Sequence, residues 1–76
     1  MGDFFHRLAT LYKEGRIEIH LIYNGIDYDK NFSYNPKKDT LFAESSTAQG
    51  ESFGGDGNTI SHYIKEGLIS INIRKC

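Results

Sequence analysis

The sequence predicts a single small α+β domain over residues 1–76, with elements in the order α-β-β-β-α-β, a four-stranded mixed sheet and two helices on one of its faces. Three observations lead there. Arg16 to Tyr34 alternates apolar and polar side chains around an Asn24-Gly25 turn, two segments carry apolar residues at helical spacing and end in glycine, and a final run alternates Ile69, Ile71 and Ile73.

In the first helix, Asp3 is placed as N-cap. Phe4, Leu8 and Leu11 follow at helical spacing, Phe5 and Tyr12 widen the stripe, and Gly15 stands where a C′ residue takes a left-handed conformation. Only Gly15 and Arg16 separate helix from strand, so the two run antiparallel, with the stripe lying on the Ile17/Ile19/Leu21 face. The Asn24-Gly25 loop suits a type I′ turn. It pairs Tyr23 with Ile26, Leu21 with Tyr28 and Ile17 with Phe32 on the apolar face, where Lys30 opposite Ile19 is the exception. The other face sets Ile22 across from Asp27, His20 from Asp29, Glu18 from Asn31 and Arg16 from Ser33.

Asn35-Pro36-Lys37-Lys38-Asp39 is turn chemistry. Thr40 to Glu44 reads as a third strand whose inward side is either Leu41/Ala43 or Phe42. Residues 45–57 follow as one long loop without periodicity, holding Gly50, Gly54, Gly55 and Gly57. Loops of that length in small domains are functional or mobile. Asn58 or Thr59 caps a second helix with Ile60, Tyr63 and Ile64 at i, i+3 and i+4, closed by Gly67. The last strand carries Ile69, Ile71 and Ile73, and Arg74-Lys75-Cys76 forms a frayed tail. A right-handed crossover makes this strand parallel to the first and third. It lies beside the first strand in order 4-1-2-3, with 1-2-3-4 the alternative.

An internal likeness runs at an offset of 52. Lys13-Glu14-Gly15 matches Lys65-Glu66-Gly67, Ile17 and Ile19 match Ile69 and Ile71, and Leu8, Leu11, Tyr12 and Leu21 match Ile60, Tyr63, Ile64 and Ile73. Any helix closed by glycine before a half-buried strand looks like this, and so does a duplicated unit. Two αβ units are implied either way.

Nine basic and ten acidic side chains leave a net charge of −1. Binding nucleic acid by phosphate neutralisation needs a concentrated basic surface, so the balance argues against it. The single cysteine, Cys76, excludes an internal disulfide and a cysteine-based zinc site and suits a reducing cytoplasm. Neither a signal-peptide pattern nor an apolar run long enough to span a membrane is present, so a soluble cytoplasmic protein is expected.

No constellation reaches the specificity of a catalytic or cofactor motif. Asp27, Asp29, Asn31, Ser33 and Asn35 imitate alternate positions of a calcium loop. Phe32 then stands where glycine is needed and Lys38 where a bidentate glutamate is needed. The glycine-rich stretch lacks the lysine of a phosphate loop, and Glu51 and Asp56 would repel phosphate. His6, His20 and His62 share no metal-ligand spacing, and no serine has a base to orient it. No enzyme activity, metal or cofactor is therefore expected.

The candidate partner-binding residues fall in two groups. Phe53, between Ser52 and Gly54, has no periodicity to supply it a buried face; it reads either as an exposed hot spot, with Glu51 and Asp56 beside it, or as a lid folded over the core. The outer hairpin face presents Glu18, His20, Ile22, Asp27, Asp29 and Asn31, an acidic strip suited to a basic partner. In size and architecture alone the chain is similar to small motif-free phage-encoded inhibitors, anti-CRISPR proteins among them, which implies a protein-binding module that blocks a partner's functional groove. Two other classes stay open. One is a nucleic-acid module using Lys37, Lys38 and Lys65; the other is a subunit that self-assembles, as a homodimer for instance, through free strand edges.

Overall fold

A computed structural model describes residues 2–76. The elements are α1 (Gly2–Lys13), β1 (Ile17–Tyr23), β2 (Ile26–Tyr28), β3 (Lys30–Asn35), β4 (Thr40–Glu44), β5 (Ser52–Asp56), α2 (Gly57–Lys65) and β6 (Ile69–Lys75). The α+β class holds. The four-stranded mixed sheet does not: there are two three-stranded antiparallel sheets, β2-β1-β6 and β3-β4-β5.

The turn chemistry works as expected at its tip, where Asn24 and Gly25 take φ of 52° and 76°. Tyr23 then pairs with Ile26, Ile22 with Asp27 and Leu21 with Tyr28. Beyond Tyr28 the hairpin register fails, because Asp29 breaks the strand and Asn31, at φ 54°, bulges it. The Asn31 amide donates to the Tyr12 hydroxyl at 2.9 Å and its side-chain amide to Glu44 Oε1 at 2.6 Å. The chain thus turns away to pair with β4. The expected pairings of Ile17 with Phe32, Glu18 with Asn31, His20 with Asp29 and Arg16 with Ser33 are therefore not made, and Lys30 and Ser33 face Glu44 and Phe42 instead of Ile19 and Arg16.

A second correction follows from β5. Residues 45–57 are not one loop: Ser52–Asp56 pairs with β4 throughout, and Gly57 opens α2. Gly54 and Gly55 carry no side chain and so leave no alternation to mark this strand. A Cβ at Gly55 would meet Ile60 at 3.5 Å, an ordinary packing distance, so α2 does not require glycine there. The extra reversal of chain direction makes β6 antiparallel to β1 rather than parallel, although it does lie beside β1. Arg74 and Lys75 belong to β6, and the Cys76 amide donates to the Arg16 carbonyl at 3.0 Å, so the tail is not frayed.

The helix caps also differ from expectation. Asp3 lies inside the first turn of α1, where its charge favours the positive end of the helix dipole, and the N-cap falls outside the described residues. Asp56, not Asn58 or Thr59, caps α2 by accepting the Thr59 amide at 2.7 Å. Both helix C-termini form the same Schellman closure. Arg16 N–H bonds the Leu11 carbonyl at 3.0 Å and Leu68 N–H the Tyr63 carbonyl at 2.9 Å, with Gly15 and Gly67 at φ 77° and 81°. All of these pairs stand 52 residues apart.

The core lies between the inner sheet faces and the helices. Phe5, Leu8, Ile17, Ile19, Leu21, Tyr28, Phe32, Leu41, Ala43, Ile60 and Ile69 are buried. Phe5 rather than Phe4 centres the α1 stripe, with its ring 6.0 Å from that of Tyr34, and Tyr12 meets Phe32 edge-on at 6.1 Å. Leu41 and Ala43 point in, so Phe42 points out.

Candidate functional site

The inward alternation of β1 leaves Glu18, His20 and Ile22 on the side of the sheet away from the core. The ladder places Asp27 beside Ile22, and on the other flank Arg74, Asn72 and Ser70 beside Glu18, His20 and Ile22. Both helices pack on the opposite side, so this is an uncovered sheet face. Ile22, 36% exposed, is its apolar centre.

His20 organises the charges. Its Nδ1 lies 2.8 Å from Asp27 Oδ2 and its Nε2 lies 3.5 Å from Glu18 Oε1, so each ring nitrogen meets a carboxylate. The hydrogen bond with Asp27 raises the imidazole pKa above its ordinary value; partial burial opposes the rise, and the charges of Asp27 and Asp29 support it. Asp27 Oδ1 is shielded from solvent and has no hydrogen-bond partner among the described residues.

Asp29 stands at the break between β2 and β3. It accepts the Ser46 hydroxyl on both oxygens at 2.8 and 2.9 Å and the Ser46 amide at 3.0 Å. Burial pushes its carboxyl pKa up, and the Ser46 bonds, together with the Asp29 backbone amide and the His20 charge, outweigh that and hold it below the ordinary value. One ligand atom each from His20, Asp27 and Asp29 lies within 4.8 Å of the other two, a grouping that sequence spacing did not reveal. Because Ser46 donates to Asp29 and His20 is bonded to Asp27, no serine is held by an imidazole in this cluster. The arrangement is an ordered set of carboxylates around one titratable histidine, with Arg74 on the β6 flank.

The other sequence-derived residues do not join it. Asn31 is exposed on the bulge and bonded to Glu44. Phe53 is folded over the core edge, with its ring 5.6 Å from Tyr23 and 5.4 Å from Tyr28, which is the lid arrangement. Asp56 is occupied as the α2 cap, and Glu51 is exposed at the end of a loop closed by hydrogen bonds from the Ser45 amide to the Glu51 carbonyl and from the Glu51 amide to the Ala48 carbonyl.

The large exposed aromatic on a sheet face is Phe42, which sequence reasoning left undecided. It is 43% exposed on the outer face of β4, between Ser33 and Gly54. Strict alternation through Leu41 and Ala43 was the signal for it. Compared with protein-family models, curated proteins and solved structures, the chain matches none.

Proposed function

We propose that the protein is a binding module, without enzymatic activity or cofactor, whose uncovered β1–β2 face docks into a basic groove of a partner protein and blocks it. The observation that carries this reading is the ordered cluster of Glu18, His20 and Asp27 beside exposed Ile22. An apolar centre with charges fixed beside it is the make-up of an interface hot spot. Phe42 adds an exposed aromatic on the second sheet, and a groove that binds nucleic acid has the basic lining this face would complement. The inhibitor role rests on that complementarity together with the similarity in size and architecture to small phage-encoded inhibitors.

Affinity capture from lysate of the source cell, or of its host if the source is viral, tests the reading. Wild-type protein is expected to retain a protein partner after nuclease treatment, and Ile22→Lys and Asp27→Lys are expected to lose it while keeping the wild-type circular dichroism spectrum. Retention by both variants places the surface elsewhere. Loss of all signal with nuclease favours the nucleic-acid module.

A further inference from the structure

The two αβ units are related by a local pseudo-twofold axis, and that relation leaves one strand edge without the neighbour its equivalent has. His20 pairs with Asn72, which is also its counterpart 52 residues on, so the axis passes through that pair. On its other side β1 carries β2, which sets Tyr28 beside Leu21. The corresponding side of β6 carries no strand among the described residues. Burial records the difference. Leu21 is 0% exposed, whereas its counterpart Ile73 is 45% exposed, although it lies directly opposite Ile19 on the core-facing side.

The open edge has a definite polarity. In a strand, the N–H and C=O of one residue point to the same side, and successive residues alternate. The Cys76 amide donates to the Arg16 carbonyl across the β1–β6 ladder. The even-numbered residues of β6 therefore bond to β1, and Ile69, Ile71, Ile73 and Lys75 turn their backbone groups to the free side. This edge runs seven residues without proline or bulge, two of the devices that blunt such an edge, and its charges, Arg74 and Lys75, are confined to one end.

We propose that a second copy of the chain occupies this edge, with the two β6 strands antiparallel about a twofold axis at Asn72. Self-complementarity selects this occupant. The register that overlaps all of Ile69–Lys75 sets Asn72 opposite Asn72, Ile71 opposite Ile73, Ser70 opposite Arg74 and Ile69 opposite Lys75. The odd-numbered residues then exchange backbone hydrogen bonds across the axis. Ile71 and Ile73 of both copies join into one apolar stripe, and no like charges face each other. The joined sheet runs β2-β1-β6-β6-β1-β2. The outer face of β1 stays open in each copy, so the dimer is independent of the proposed partner surface.

Sedimentation velocity on the full chain is expected to give twice the monomer mass, and Ile73→Lys to return the monomer with an unchanged circular dichroism spectrum. Register is read by cross-linking in a Cys76→Ser background. Opposed residues of a non-hydrogen-bonded pair have Cα atoms about 4.5 Å apart, within disulfide reach. Asn72→Cys is therefore expected to oxidise to a covalent dimer, and Ser70→Cys, which faces Arg74, to stay uncross-linked. A monomeric wild type, a dimer that survives Ile73→Lys, or cross-linking of Ser70→Cys in preference to Asn72→Cys overturns the proposal.

Discussion

Replacing Gly57 with alanine strikes the point where the β3–β4 turn meets the start of α2. Gly57 is buried, and its amide donates to the Asp39 carbonyl at 2.9 Å. A Cβ built on it falls onto the Asp39 carboxylate, which also accepts the Tyr34 hydroxyl. Asp39 has little room to retreat, because its backbone sits at φ 52° and its side chain is short. Overpacking of this kind costs about 1–3 kcal/mol, against roughly 4–11 kcal/mol expected for the whole fold at this length. Urea unfolding followed by circular dichroism, since the chain has no tryptophan, should show a lower midpoint with an unchanged slope. The control is Asp39→Gly, which removes the carboxylate and suits the positive φ. In that background Gly57→Ala should cost close to nothing, for a coupling of about 1–3 kcal/mol. Asp39 accepting the Tyr34 hydroxyl pushes that pKa up to about 12, so Asp39→Gly should also remove the late tyrosine step from an absorbance titration. Equal cost of Gly57→Ala in both backgrounds would refute the steric argument.

Other expectations follow from the same geometry. The folded pKa of His20 is raised, so its pairing with Asp27 stabilises fully below the unfolded value of about 6.5 and fades as pH rises through the folded value. The stability difference between wild type and Asp27→Asn should accordingly be largest in mild acid and shrink towards alkaline pH in parallel urea titrations. Asp29 has the opposite sign: its lowered pKa means the Ser46 contribution is present above the ordinary carboxylate range and is lost as pH falls, so Ser46→Ala should cost less at low pH. Gly15→Ala and Gly67→Ala place a Cβ at φ 77° and 81° and should each destabilise by about 1 kcal/mol, by similar amounts if the two closures are equivalent. Asp56→Ala should lower the melting temperature and expose the amides of the first turn of α2 to hydrogen exchange, with Asp56→Asn keeping most of the cap.

What was legible in the sequence was local. The Asn24-Gly25 turn, the two glycine-closed helices, the strand at Thr40–Glu44 and the Ile69/Ile71 alternation each depend on neighbours within a few residues, and all are present, although which side of Thr40–Glu44 faces inward was not decided locally. The failures were relations between distant segments. Asp29 and Asn31 break the long arm of the hairpin because Ser46, Tyr12 and Glu44 hold them, and none of those contacts leaves a periodic trace. Strand β5 was missed because Gly54 and Gly55 erase the alternation of Ser52–Asp56, and missing it reversed the direction assigned to β6. The site followed the same rule. His20, Asp27 and Ile22 were placed on one face by the turn register alone, while the His20–Asp27 bond is diagonal across the ladder and the approach of Asp29 needs the bend.

The uncovered β1–β2 face is the proposed binding surface. Amide and side-chain cross-peaks of labelled protein, recorded with and without the captured partner, test it most directly. The expected result is perturbation centred on Glu18, His20, Ile22 and Asp27, with a change in the His20 ring titration. Perturbations confined to α2 and the Ser45 to Glu51 loop, with the β1–β2 face unmoved, would contradict it.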